Sequence, residues 1–132
     1  MIRFVRYGIA ISILFCLVSV LSGCNKEFEK EQGIEYTFVP EEYSEDYNVI
    51  TDTIVLDSEK EYQIKWIATC EQGELHLVAS YTDKSGVSHT LDLTAPHSET
   101  TTFTKNSVEE IRYDISITPE TSGSIVIDVF TK

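Results

Sequence analysis

The sequence predicts an all-β fold, a two-sheet antiparallel sandwich of jelly-roll or immunoglobulin-like topology, preceded by a helical signal peptide. Three observations carry this. Apolar residues recur at every second position through most of the chain beyond Ile34, which places one face of each segment against a core. No segment after the first 23 residues shows a helical apolar stripe of useful length. Clusters of Asp, Ser, Thr and Gly punctuate the apolar runs where tight turns are needed.

Ile34, Tyr36 and Phe38 open the alternation. Residues 49–56 are apolar enough for a strand, but Asp52 interrupts the pattern and predicts a break or bulge there. The longest run places Tyr62, Ile64, Trp66, Ala68 and Cys70 on one face and Gln63, Lys65, Thr69 and Glu71 on the other. Leu75, Leu77, Ala79 and Tyr81 follow, then Leu91 and Leu93. Between them Asp83-Lys84-Ser85-Gly86 has Asp at the first and Gly at the fourth position of a type I turn with a glycine bulge. That turn opposes Tyr81 to His89, Ala79 to Leu91 and Leu77 to Leu93, with matching apolar faces. Ile111, Tyr113, Ile115 and Ile117 form the next strand, and Ile125, Ile127 and Val129 the last. Glu120-Thr121-Ser122-Gly123 reads as a second turn of the same kind, opposing Ile117 to Ile127 and Ile115 to Val129. Seven or eight strands with one apolar face each, and no helix to cover them, bury those faces by pairing two sheets.

The first 23 residues have a different character. Arg3 and Arg6 precede an uncharged apolar stretch from Gly8 to Val20, and Leu21-Ser22-Gly23-Cys24 closes it with small residues before a cysteine. The stretch is short of the roughly 20 apolar residues a membrane span requires. This segment resembles the type II signal peptide of bacterial lipoproteins, whose lipobox ends in such a cysteine. The resemblance implies cleavage between Gly23 and Cys24, a covalent diacylglycerol on Cys24 as membrane anchor, and export of everything after it. Two acyl chains hold a protein durably at a bilayer where one holds only marginally. Residues 25–33 are polar with a single aromatic, Phe28, and predict a flexible tether. The expected organisation is therefore a signal peptide at 1–23, a lipidated N-terminus and tether at 24–33, and a sandwich at 34–132.

Removal of the signal loses Arg3 and Arg6 from ten basic residues and keeps all 22 acidic ones, so the formal charge moves from −12 to −14. Such a charge argues against nucleic acid as a partner, because phosphate recognition needs clustered Lys and Arg. Cys16 leaves with the signal and Cys24 is the expected lipidation site, so Cys70 has no disulfide partner. The fold must rest on its apolar core. Parity puts Cys70 on the face of Trp66, as a core filler rather than a nucleophile.

From residue 61 to 130 the chain also resembles the small β-sandwich domains of secreted bacterial lipoproteins and of prepeptidase-type or carbohydrate-binding modules. Tyr62 to Cys70, Asp83 to Gly86, and Tyr113 to Ile117 followed by Gly123 carry that likeness. It implies architecture, and no sugar-binding or calcium-binding residue has a counterpart to transfer. His76 faces away from the core, His89 points to its side, and His97 follows Pro96 in a loop, with no metal-binding spacing among them. Glu41, Glu42, Glu45 and Asp46, with Asp57, Glu59 and Glu61, offer oxygen ligands for a structural calcium but lack a calcium-loop spacing. Tyr43, Tyr47 and Phe130 are the aromatics not claimed by inward parity, and form the candidate surface for a glycan or an envelope protein. No catalytic signature occurs, neither a Gly-x-Ser-x-Gly elbow nor a glycine-rich phosphate loop nor Ser-x-x-Lys. The expected function is a noncatalytic binding or interaction domain, lipid-anchored at the bacterial cell surface. A carbohydrate- or calcium-binding module is the alternative, and a small hydrolase the remote one.

Overall fold

Branched and aromatic residues at alternate positions favour extended backbone, and the computed structural model, which describes residues 3–7 and 27–132, is built from strands. In chain order these are β1 (Arg3–Tyr7), β2 (Glu29–Phe38), β3 (Val49–Val55), β4 (Tyr62–Gln72), β5 (Leu75–Thr82), β6 (Ser88–Thr94), β7 (His97–Phe103), β8 (Glu110–Ile117) and β9 (Ser122–Thr131). Two single 3-10 turns, Pro40–Glu42 and Glu45–Tyr47, lie between β2 and β3.

The strands form two antiparallel sheets in the orders β1-β2-β9-β4-β7 and β3-β8-β5-β6. From β2 onward every connection crosses to the other sheet except β5 to β6. The eight strands β2 to β9 therefore interleave as a jelly roll, which decides between the two topologies the sequence allowed. The inward faces meet as parity requires. Ile34, Tyr36, Ile64, Trp66, Ile127 and Val129 of the first sheet pack on Leu75, Leu77, Ile111, Tyr113, Ile115 and Leu93 of the second, all nearly inaccessible to solvent.

Tyr113 sits at the centre of this core with no exposed surface. Its ring meets Trp66 edge-on at 6.3 Å and Tyr36 edge-on at 6.2 Å, and its hydroxyl lies 2.7 Å from that of Tyr36. Edge-to-face contacts of this kind add stabilisation beyond the buried area. The hydroxyl pair joins the two sheets through their apolar interior. The Trp66 indole donates to the Thr101 hydroxyl at 3.0 Å, so its polar atom is also satisfied.

Several expectations are corrected. The β5–β6 hairpin has the predicted register, Tyr81 to His89, Ala79 to Leu91 and Leu77 to Leu93. The predicted β8–β9 hairpin does not form. Ile117 pairs with Leu75, and Ile115 with Leu77 and Ile50, while Ile127 pairs with Ile34 and Trp66 in the opposite sheet. Thr121, 1% exposed, makes the crossing: its hydroxyl donates to the Glu74 carbonyl at 2.6 Å and accepts from the Thr118 N–H at 2.9 Å. Gly123 is a strand residue between Phe38 and Cys70, where an added Cβ would stand 2.2 Å from the Thr69 carbonyl oxygen. The small residue is needed for strand approach rather than for a turn.

No break occurs at Asp52, because β3 keeps an unshifted register with β8 from Val49 to Val55 and Asp52 pairs with Tyr113. The Asp52 carboxylate accepts the Thr53 N–H at 2.8 Å. Bulges fall instead between Lys30 and Gln32 and between Cys70 and Gln72. Ordered structure also begins earlier than expected. Residues 29–33 of the predicted tether belong to β2, whose backbone bonds to β9 do not require apolar side chains. Lys30 pairs with Asp128 at 3.0 Å, and the Phe28 ring lies under the Lys132 ammonium at 5.4 Å. Residues 3–7 form an edge strand on β2 rather than the start of a helix. Residues 8–26, with the expected cleavage point Gly23 and Cys24, lie outside the described residues.

Replacing either Tyr36 or Tyr113 by Phe removes one buried hydrogen bond, and each change lowers the unfolding free energy by about 1 kcal/mol. In a urea double-mutant cycle the combined change costs less than the sum, with a coupling of about 0.5 kcal/mol or more. Strict additivity contradicts a shared bond between the sheets.

Candidate functional site: a polar cleft beside the β5–β6 hairpin

Alternation that turns apolar residues inward turns polar ones outward, so the outer face of the second sheet is lined by hydroxyl and charged side chains. Arg112 of β8 stands beside Thr53 of β3 and Ser80 of β5, and Ser80 pairs in turn with Thr90 of β6. Toward the hairpin end this face passes into an open cleft of about 540 Å³. Its floor carries the hydroxyls of Ser80, Thr82, Ser88 and Thr90 with Arg112 and Glu110. Its far wall is Lys84 of the hairpin turn and Ser107 and Glu109 of the β7–β8 loop. The Lys84 N–H donates to the Ser107 carbonyl at 3.1 Å and holds turn and loop together.

Asp83 organises this end. Gly86, at φ +83°, closes the turn with its N–H donating to the Asp83 carbonyl at 3.0 Å. The Asp83 carboxylate accepts from the Ser85 hydroxyl, from the Ser85 N–H at 2.9 Å and from the Val87 N–H at 3.1 Å. His89 Nε2 lies 2.7 Å from its second oxygen. Led by the Ser85 hydroxyl and then His89, these bonds hold the Asp83 carboxyl well below the usual carboxylate range. The His89 ring is stacked on Tyr81 at 5.0 Å, and Tyr81 meets Phe103 edge-on at 5.0 Å. The cleft wall is thus braced on the core. Arg112 and Lys84, both exposed, take part in no ion pair among the described residues. Their donors face the cleft without an internal carboxylate partner, in a chain of net charge −12.

The residues singled out from the sequence do not converge. Phe130 is on the outer face of the first sheet, with the Lys65 ammonium 5.2 Å over its ring. Tyr43 is half-buried after the turn Pro40–Glu42, at the other end of β2. Eight residues of strand, roughly 26 Å, separate the Phe130 partner Lys30 from Phe38. The backbone of Tyr47 ends the turn Glu45–Tyr47, and its side chain lies outside the described residues. Cys70 is half-buried beside the bulge rather than deep in the core, its thiol donating to the Gln72 carbonyl at 3.0 Å. His76 contacts Asp92 on the outer face, and His97, expected in a loop, begins β7 opposite Ala68 with Glu99 at 3.7 Å. Among the described residues no three His, Cys, Asp or Glu side chains gather as a metal site. The cleft residues, Arg112 above all, were not predicted. Their signal was the polar parity of two strands, and it points to a site only once β5, β6, β8 and the β7–β8 loop are brought together.

No protein-family model matches the chain, and no curated protein matches it. Among solved structures, the carbohydrate-binding module TmCBM61 in complex with β-1,4-galactotriose aligns with a TM-score of 0.41 and 10% identity, covering 99% of this chain and 81% of that one. The family 11 carbohydrate-binding module from Clostridium thermocellum, in complex with a β-1,3-1,4-mixed-linked tetrasaccharide, aligns at 0.40 and 7% identity, covering 99% and 82%. The Yersinia pseudotuberculosis-derived mitogen aligns at 0.38 and 11% identity, covering 62% and 84%. Likeness at this level assigns the chain neither a family nor a ligand.

A carboxyl whose folded pKa is depressed stabilises the fold above the unfolded value of about 3.9, and that contribution fades as pH falls through the folded value. In a pH titration followed by NMR, Asp83 is expected to protonate below the exposed carboxylates of the chain. Asp83→Asn is expected to lower the melting temperature at pH 7, with the gap to the parent closing as the pH drops below about 3.9. An ordinary Asp83 midpoint contradicts the assigned hydrogen bonds.

Proposed function

We propose that this chain is a noncatalytic binding module, held at the outer face of a bacterial membrane by diacylglycerol on Cys24, which takes a glycan in the cleft beside the β5–β6 hairpin. The location rests on the lipobox-like Leu21-Ser22-Gly23-Cys24. The binding role rests on one observation, the concentration of hydroxyls around two cationic side chains that no ion pair among the described residues claims. Sugars present pairs of neighbouring hydroxyls, and a planar guanidinium spans two acceptors at once. Ser80, Thr82, Ser88 and Thr90 each both donate and accept. Glu109 and Glu110 accept from ring hydroxyls, and Lys84 adds a charge for glycans that carry a carboxylate.

A noncatalytic role fits the chemistry of the same cleft. His89, the candidate base nearest to it, has Nε2 against Asp83 rather than against a serine or cysteine. Cys70 is on β4 in the other sheet, with its thiol turned to backbone carbonyls.

A panel of neutral and uronate-bearing oligosaccharides, measured by calorimetry against the purified protein, tests the reading. At least one class is expected to bind. Arg112→Ala is expected to weaken it by tenfold or more, about 1.4 kcal/mol, with little change in melting temperature because Arg112 is exposed. Undiminished binding by Arg112→Ala moves the site elsewhere, and no binding across the panel removes the glycan.

A further inference from the structure

The strand β3 ends the second sheet, and among the described residues it pairs with β8 alone. Its backbone groups divide by parity. The Asn48 carbonyl accepts from the Ile117 N–H at 3.1 Å and the Leu56 N–H donates to the Glu109 carbonyl at 2.8 Å, so the even-numbered residues carry the ladder to β8. Val49, Thr51, Thr53 and Val55 then turn their N–H and C=O groups to the open side. There the Thr53 N–H is met by the Asp52 carboxylate at 2.8 Å. An uncovered row of backbone groups is a template for another strand, which proteins blunt with lysine, proline, a bulge or an inward charge. Residues 49–55 hold no Lys, Arg or Pro, their register is unshifted, and Asp52 is their one charged residue. Val49 and Val55, at the two ends of the strand, are 54% and 78% exposed.

The seven residues of β3 read identically in both directions, Val-Ile-Thr-Asp-Thr-Ile-Val, centred on Asp52. A closed two-fold contact is isologous, meaning that one surface meets itself with the chain direction reversed. For an edge strand that requirement is a palindrome, and β3 meets it at every position. About an axis through Asp52, Val49 lies opposite Val55 of a second copy, Ile50 opposite Ile54 and Thr51 opposite Thr53. The pairs of odd-numbered residues exchange the hydrogen bonds, which is the side on which their backbone groups are open. Matched β-branched side chains meet on both faces of this ladder. Asp52 against itself on the axis is the one unfavourable pair. A shift of two residues in either direction removes that pair, but it leaves five pairs instead of seven and sets Asp52 opposite an isoleucine.

We infer that the open edge of β3 is a homodimer surface, on which a second copy of this chain lays its own β3 antiparallel and joins two four-stranded sheets into one of eight strands. The two-fold axis stands across the plane of that sheet, so the outer faces of both copies point the same way. No residue of β3 lines the cleft, and the pair therefore presents two open clefts on one side. A glycan long enough to reach both is held by avidity without any new contact. That consequence alone rests on the glycan reading above, and the dimer does not.

The test uses the whole chain purified in detergent, with its oligomeric state measured by sedimentation over rising protein concentration and its backbone by amide hydrogen exchange. The parent is expected to dimerise reversibly, with the Thr51 and Thr53 amides exchanging several-fold more slowly in the dimer and the amides of the β6 edge unchanged. Val49→Lys combined with Val55→Lys opposes like charges at both ends of the ladder. It is expected to weaken association tenfold or more, with the monomer's fold intact by circular dichroism because both side chains are exposed. Val49→Lys combined with Val55→Glu sets each lysine opposite a glutamate of the other copy and is expected to restore association. A parent that stays monomeric at every concentration overturns the inference, as does a dimer without added protection at Thr51 and Thr53. Equally weak association of the two double variants overturns the palindromic register.

Discussion

The contact between Tyr36 and Tyr113 is the point on which this fold turns. Among the described residues no strand of one sheet pairs with a strand of the other, so the sheets are joined by crossing connections and by side-chain packing, in which these two rings meet edge-on with their hydroxyls 2.7 Å apart. Tyr113 also supports Trp66 of the first sheet, so three aromatics from β2, β4 and β8 fix how the sheets face each other. A buried polar pair in this position costs little when satisfied and much when half-satisfied, which disfavours any shift of one sheet over the other. The outward faces follow from this arrangement. Once Tyr113 and Ile111 point inward, Arg112 must point out between Thr53 and Ser80, where the cleft begins.

Much of this was legible in the sequence because strand periodicity is two: inward and outward faces could be read residue by residue for β4, β5, β8 and β9. Partnership was legible only where the turn was local. Asp83 and Gly86 specify the β5–β6 turn through their own backbone bonds, and that register is the one observed. The segment from Thr118 to Gly123 has similar composition, but the chain crosses sheets there. Parity could not reveal this, since Ile127 faces the core equally well beside Ile117 or across from it. What separates the two cases is the buried Thr121 hydroxyl on the Glu74 carbonyl and the close approach of Thr69 to Gly123, both long-range contacts. The polar start of β2 was hidden for a related reason, because β9 supplies its hydrogen bonds whatever its side chains are.

The cleft shares that origin. It is no motif, and it is made by segments that are distant in sequence and adjacent in the jelly roll. Inward parity leaves the candidate aromatics Tyr43 and Phe130 unclaimed, and the topology sends them to opposite ends of β2. Residues 29–33, read from the sequence as tether, belong to β2. The function proposed here depends on both the interleaved strand order and the anchor.

The most direct test of the account is the partner of β9, read from cross-strand amide and Hα Overhauser effects in the folded protein. A jelly roll places Ile127 between Ile34 and Trp66, and Ile117 beside Leu75. A ladder joining Ile117 to Ile127 and Ile115 to Val129 would contradict it, and would dismantle the outer face on which the cleft is built.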